Sequence, residues 1–462
     1  MTCTADWHGV TPYRQAQHGV APCQTGSGAE PPTPYPWRAV TDLPLAPALF
    51  PDTVDEIERA AKPYDDELVA LRRDLHAHPE LGGSEVRTTR LLADRLVAAG
   101  LTPRPLTTGT GLVCDVSAGR TRLGPERPTR TVALRADIDA LPLADEKDVP
   151  YRSTVPGVCH ACGHDVHTAT VIGAGLVLAD LGRQGLVGGD VRLVFQPAEE
   201  VMGAGATDVI AAGALDGVER IFALHCDPRE VVGRVGLKVG GITGSADQVT
   251  IRLTGRGGHT ARPHLTADVV YALGDVITRL PAALSRRVDP RAGLSLVWGR
   301  VTAGTSPNVI PDRGEVSGTV RCLDVDAWDE AGGLVARLAG EIVAPYGVGC
   351  TVDYVRGVPP VMNDRGSVAI LAAAARSVLG PRGVTSTEQS LGGEDFAWYP
   401  EKVPGALLRL GVREMDTDVA PDLHTGDFDV DEVSIGIGVR VLVASALLAL
   451  ADRGAVRTPP ES

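Results

Sequence analysis

Residues 158–167 read Val158-Cys159-His160-Ala161-Cys162-Gly163-His164-Asp165-Val166-His167. Two cysteines, three histidines and an aspartate fall within ten residues. The segment before it, 153–157, has loop character, and 168–181 is apolar with small residues, the pattern of a buried helix. The cluster therefore stands where a loop enters a helix, a place where side chains can converge on an ion. Thiolate, imidazole and carboxylate together suit zinc or a neighbouring transition metal. The plainer reading of the same stretch is a loop with a buried thiol and capping histidines.

Working outward, polar groups recur where apolar, strand-like runs end. Residues 131–135 lead into Ala136-Asp137-Ile138-Asp139, 190–195 into Gln196-Pro197-Ala198-Glu199-Glu200, and 221–224 into His225-Cys226-Asp227-Pro228. Helical stretches such as 205–212 lie between them. That alternation predicts a mostly parallel sheet with helices on both faces and a site along one edge. Upstream, 54–73 and 85–99 have apolar residues at helical spacing; Pro79 and Gly82 close the first and Gly100 the second. Downstream the pattern changes. Strands at 248–254, 294–300, 315–322 and 350–356 and helices at 267–280 and 325–343 give β-α-β-β-α-β, the ferredoxin-like order. The α/β pattern then resumes with a helix at 367–379, a turn Gly392-Gly393-Glu394-Asp395-Phe396, a strand at 406–410, His424, and a final helix at 433–451. The expected organisation is a Pro-rich, disordered extension over 1–55, a catalytic metal-binding domain from 56–244 and 357–455, and an inserted domain over 245–356.

A net charge of −14 argues against general binding to nucleic acid or to an anionic membrane. There is no basic segment followed by an apolar leader, and the apolar run at 439–451 falls short of the roughly 18 residues that span a bilayer. The expectation is a cytoplasmic protein whose eight cysteines are mostly reduced. The Gly-x-Gly pieces at 173–175 and 203–205 lack the full dinucleotide pattern and are read as helix packing and helix entry.

Four separated pieces point to one site: Cys162 with His164, Glu199 with Glu200, His225, and His424. Cys162 and His164 are two apart, so in a loop both reach one ion, and a thiolate can bridge two. Glu200, His225 and His424 would complete two ligand sets. Adjacent glutamates suit a division in which one ligates and the other is a general base. Taken singly, the glutamates also fit an exposed helix N-terminus, and each lone histidine a core or surface position.

The chain resembles the M20 metallopeptidase family, in the amidohydrolase branch of aminoacylase, hippurate-hydrolase and auxin-conjugate-hydrolase type. The resemblance rests on His76-Ala77-His78-Pro79-Glu80-Leu81-Gly82, Ala136-Asp137-Ile138-Asp139-Ala140-Leu141-Pro142, His160-Ala161-Cys162-Gly163-His164-Asp165 and Phe195-Gln196-Pro197-Ala198-Glu199-Glu200. It continues through Gly257-Gly258-His259, Asn308-Val309-Ile310-Pro311-Asp312, Gly318-Thr319-Val320-Arg321, Gly392-Gly393-Glu394-Asp395-Phe396 and Leu423-His424, all in family order. It implies a zinc-peptidase-like α/β catalytic domain with an inserted ferredoxin-like lid and dimerisation domain. It further implies two divalent ions, Mn²⁺ or Zn²⁺, bridged by Cys162 and held by His164, Glu200, His225 and His424. Glu199 would be the general base. His259 would stabilise the oxyanion in a neighbouring subunit's site. Asn308 and Arg321 would face the substrate, and Asp137 and Asp139 would orient ligands. His167 is read as a buried helix residue rather than a ligand.

The implied reaction is hydrolysis of the amide of an N-acyl or N-aryl amino acid, a small-molecule substrate, by a metal-activated water in a homodimer. A dipeptidase or carboxypeptidase, or a non-catalytic metal-binding scaffold, are the alternatives. Three departures bear on specificity: Thr260-Ala261-Arg262 after the lid histidine, Cys226 after His225, and Gly83-Ser84 after Leu81-Gly82.

Overall fold

The computed structural model describes residues 48–117, 130–417 and 421–452. The strands, in chain order, are β1 Pro103–Pro105, β2 Leu112–Val116, β3 Thr131–Asp137, β4 Asp190–Gln196, β5 Val218–Val231, β6 Val235–Leu237, β7 Gly240–Gly241 and β8 Ala246–Thr254. They continue with β9 Gly258–His259, β10 Ser295–Ala303, β11 Val309–Ile310, β12 Arg313–Arg321, β13 Gly349–Val358, β14 Met362–Asn363, β15 Val384–Ser386 and β16 Gly405–Arg413. The α-helices are α1 Pro51–Ala61, α2 Asp65–Ala77, α3 Val86–Ala98, α4 His164–Arg183, α5 Ala206–Ala211, α6 Val269–Leu284, α7 Val325–Val343, α8 Arg365–Leu379 and α9 Val433–Ala451.

Eight strands form one sheet in the order β1-β2-β4-β3-β5-β16-β6-β15. Pairs β3–β4, β3–β5, β5–β16 and β6–β15 are parallel, and β1–β2, β2–β4 and β6–β16 antiparallel. The sheet is thus mixed and mostly parallel. Its central strands are buried nearly throughout, so they read as continuous apolar runs.

Alternation along the strands sorts two faces. Phe222, Leu224, Leu408 and Leu410 enter a core with residues of α1–α4, α8 and α9. Ala133, Val194, Ala223 and Leu407 face the other way, toward α5, Phe396 and Tyr399. Both faces carry helix, as expected, but very unequally. On the second face the described residues supply only the short α5 and a 3-10 turn over Asp395–Trp398. Toward the strand ends this face changes from Ala133, Val194 and Ala223 to Arg135, Gln196 and His225.

Other departures have local causes. The stretch 54–73 is two helices, α1 and α2, parted by a 3-10 turn Lys62–Tyr64, because Pro63 cannot donate the helical hydrogen bond. Residues 1–47 of the expected extension lie outside the described residues; by Pro51 the chain is already helical, and Ile57 and Ala61 join the core. His225, Cys226 and Asp227 lie inside β5 rather than after it. Pro228 follows where the pairing with β16 shifts register between Gly411 and Arg413, so its missing N–H breaks no ladder bond. Helix α9 is long and apolar enough to cross a membrane, contrary to the expectation of a shorter run, but 78% of its span is buried inside the protein, where it packs against α4 and α8. The Gly-x-Gly of α4 does serve packing: a Cβ on Gly175 would strike Leu193 of β4.

A second sheet runs β10-β12-β8-β13, all antiparallel. With α6 and α7 against it, it has its own core around Val249, Ile251, Val276, Val316 and Val335. Its chain order, β8-α6-β10-β12-α7-β13, is ferredoxin-like. The β9–β11 pair forms a separate small ladder.

Candidate metal centre

Gly163 has φ +88°, a conformation that costs L-residues about 1–2 kcal/mol, and a Cβ there would lie 2.7 Å from Cys226 Sγ. This turn brings the loop carrying Cys162 onto the first turn of α4, which starts at His164. Ligand atoms of Cys162, His164 and His225 then lie within 4.8 Å of one another. The same holds for Cys162, Glu200 and His424, and for His164, Glu199 and Glu200. Cys162 is common to two of these triads. The five residues expected to ligate, and Glu199, are therefore brought together from four segments.

The hydrogen bonds fix which atoms face inward. His164 Nδ1 donates to the Asp139 carbonyl at 2.9 Å and lies 3.2 Å from Asp139 Oδ1, so Nε2 keeps its lone pair. That Nε2 is buried with no hydrogen-bond partner. His225 Nδ1 donates to the Cys226 carbonyl at 2.7 Å, leaving Nε2 3.5 Å from Cys162 Sγ. Asp139 Oδ2 also accepts from the Glu200 N–H at 3.0 Å. Glu200 Oε1 is buried without a hydrogen bond and stands 3.2 Å from His424 Nε2. An orphaned imidazole nitrogen, an orphaned carboxylate oxygen and a thiol within reach of one another fit divalent cations by their donor chemistry.

Ala198 and His424 have φ of 56° and 63°; they are the positive-φ residues other than glycine among the described residues. Such strain collects at functional sites. His167 is engaged at both nitrogens: Nδ1 meets Asp137 Oδ1 at 2.6 Å, and Nε2 accepts from the Cys226 N–H at 2.9 Å. These contacts explain it without a ligand role.

Glu199 sits at the rim of the cluster, and its Oε1 accepts from the Asp395 N–H at 3.3 Å. Burial, then the charges of Glu394, Asp395 and Glu200, push its pKa well above the usual carboxylate range. Behind it is a network that sequence reasoning missed. Arg135 donates to Asp137 at 2.7 Å, Asp395 at 2.6 Å and Gln196 at 2.9 Å, and lies 3.1 Å from Glu394. An arginine inside an apolar strand was the available signal.

The remaining expected residues stand apart. His259 and Asn308 are exposed on the β9–β11 ladder and its connection, and His259 Nδ1 accepts from the Ala261 N–H of its own loop. Arg321, at the end of β12, donates to the Leu391 carbonyl at 2.6 Å. The six cysteines among the described residues are free thiols.

A second buried cluster braces the ligand segment. His76 lies between Asp165 Oδ2 at 2.7 Å and Asp145 Oδ2 at 3.3 Å, and Arg72 holds Asp165 at 2.8 Å. Burial opposes protonation of His76, but Asp165 and Asp145 overcome it and raise its pKa to about 10. The unfolded value is about 6.5. The folded protein therefore holds a proton that the unfolded chain releases between those pH values. The stability contributed by charged His76 is fully present below about pH 6.5 and is lost as the pH rises toward 10, by at most about 1.4 kcal/mol per pH unit. In urea unfolding, the stability gap between wild type and His76→Gln is expected to narrow from pH 6.5 to 9.5. A constant gap would mean that His76 is neutral in the fold.

An α/β sheet whose strand ends carry a mixed thiolate–imidazole–carboxylate centre, with an extra glutamate beside it, defines a metallohydrolase class of site. The model of peptidase family M20/M25/M40 matches residues 133–447. The chain belongs to this family and is an amide-cleaving hydrolase of the metallopeptidase and amidohydrolase type. It is 38% identical over 395 residues to an N-acetylcysteine deacetylase of Bacillus subtilis, covering 85% of this chain and 99% of that one. It is also 48% identical over 394 residues to a putative glutamate–cysteine ligase of Rhodococcus jostii; that match covers 85% of this chain but only 48% of the relative's length. A solved dinuclear metal-binding M20 peptidase of Bacillus subtilis aligns with a TM-score of 0.73 and 34% identity, over 84% of this chain and 99% of that one.

Proposed function

We propose that this protein hydrolyses the amide bond of N-acyl amino acids or related amide conjugates at a centre of two divalent ions, Mn²⁺ or Zn²⁺. The observation that carries the reading is that Cys162 belongs to two ligand triads, while Glu199, next in sequence to Glu200, lies against both through a third group with His164 and Glu200. In this reading Cys162, common to both triads, would hold the ions together with His164, His225, Glu200 and His424. Asp139 orients His164 and Glu200, and Asp137 anchors the network behind them. The resemblance to a deacetylase of N-acetylcysteine supports the substrate class.

Divalent ions bound there supply Lewis acidity, lowering the pKa of a water and polarising a carbonyl. Glu199 takes the proton of the attacking water and returns it to the leaving amine. Its raised pKa makes it a stronger base than an exposed glutamate and a competent acid in the return step. Asn308 and Arg321 face the substrate. His259, exposed on its ladder, stabilises the oxyanion in the site of a second copy, in a homodimer formed through the ferredoxin-like region.

The test is a panel of N-acetyl, N-benzoyl and longer N-acyl amino acids beside dipeptides, using metal-loaded protein. Faster turnover of N-acyl amino acids supports the reading. Turnover of dipeptides alone would move the protein to the dipeptidase or carboxypeptidase alternative.

A further inference from the structure

Two arginines stand almost fully buried on the site-bearing face of the large sheet, Arg135 at 1% and Arg409 at 6% exposure. Their surroundings differ. Arg135 is surrounded by Asp137, Glu394 and Asp395. Arg409, among the described residues, forms no ion pair with any carboxylate. Its Nη2 donates to Ser390 Oγ at 3.2 Å, and its Nε is buried with no hydrogen-bond partner. The two acids whose charges reach it are committed elsewhere. Asp227 takes the fork of Arg229 at 3.0 and 3.2 Å, and Glu394 lies 3.1 Å from Arg135.

Its position is defined by strand register. Arg409 of β16 is paired in parallel with His225 of β5. Register partners on adjacent strands put their side chains on the same face, roughly 5 Å apart. On its other flank Arg409 pairs with Gly236 of β6, which has no side chain to crowd it; a Cβ there would come within 3.3 Å of Arg409 Cβ. Ser390 belongs to the segment whose Leu391 carbonyl accepts from Arg321. One strap therefore links Arg409 of the large sheet to Arg321 of the small one.

A buried guanidinium without a counter-charge is costly, and its planar fork matches a carboxylate in two-pronged contact. We propose that Arg409, with Ser390 Oγ, receives a free carboxylate of the substrate beside the His225 side of the metal centre and so selects anionic amides. This rests on the amidohydrolase reading above and names the charge the substrate must carry.

The experiment compares wild type, Arg409→Met, Arg409→Lys and Ser390→Ala, all metal-loaded and full-length. The substrates are N-acetylmethionine, its neutral carboxamide, and an N-succinyl amine whose acid lies on the acyl side. In Arg409→Met, KM for an acidic substrate is expected to rise roughly 10–100-fold, the range for a lost hydrogen bond to a charged group. The kcat is expected to stay within a fewfold, and KM for the carboxamide to stay unchanged. Arg409→Lys should recover part of the loss, and Ser390→Ala should raise KM for the same acid only. Which of the two acidic substrates responds locates the carboxylate on the amine or the acyl side. A fall in kcat shared by acidic and neutral substrates, with KM constant, would overturn the proposal and leave Arg409 as a charge-balancing residue of the metal centre. If Arg409→Met does not fold, the Lys and Ser390→Ala variants decide by the same KM comparison. Wild-type protein that cleaves none of the N-acyl compounds fails the functional reading itself and removes this proposal with it, a result distinct from unaltered KM in active variants.

Discussion

Glu199→Gln is expected to lower kcat by at least about 10²–10⁴-fold, the usual weight of a general acid–base residue. Glutamine keeps the length of the side chain and can still accept from the Asp395 N–H, a bond of 3.3 Å in the wild type. What it loses is the ability to take a proton. Burial, then the acids around Glu199, raise the proton affinity of the wild-type carboxylate. Because Glu199 is not assigned as a ligand, metal content is expected to be unchanged, and KM is expected to move little. Glu200→Gln should behave differently and lose metal, since its orphaned Oε1 belongs to the triad with Cys162 and His424. Single-turnover rates with metal analysis separate the two. A Glu199→Gln enzyme within tenfold of wild type would remove Glu199 as the base.

Arg135→Met is expected to destabilise the protein by roughly 3–5 kcal/mol, the cost of removing one partner from buried ion pairs. The substitution keeps most of the apolar stem but strands Asp137, Glu394 and Asp395, all nearly fully buried, against one another. Gln196 also contacts Asp395, through Nε2 at 2.8 and 2.7 Å, and accepts from Tyr399 at 2.9 Å, so the damage extends into the turn behind Glu199. Urea unfolding at neutral pH reads the loss. A change below about 1 kcal/mol would mean that the three acids already share their charge with solvent.

The parts of the site that could be read from the sequence were those whose chemistry is unusual where it stands. Cys162, His164, Glu199, Glu200 and His225 stand directly beside apolar runs of the sequence, and His424 shortly before one, so their donor chemistry contrasts with its surroundings. The ferredoxin-like order was legible for a similar reason, since alternation at 248–254 contrasts with the continuous apolar runs of the large sheet. What could not be read depends on distant pairing. Arg135 meets Asp395 across 260 positions, and nothing local marks that Arg409 lacks a comparable partner. The unequal faces of the sheet escaped because α8 and α9 look alike in sequence wherever they pack. The length of β5 was hidden by Pro228, which ends a strand unless a register shift accommodates it. His259 and Asn308 lie apart from the metal cluster in a single chain, so their roles rest on the family pattern and on a second copy.

The most direct test of the account is to titrate metal-stripped protein with Mn²⁺ or Zn²⁺ while following hydrolysis of an N-acyl amino acid. No hydrolysis without metal, then a rate that saturates at two ions per chain, is the predicted result. Full hydrolysis by the stripped protein would contradict it.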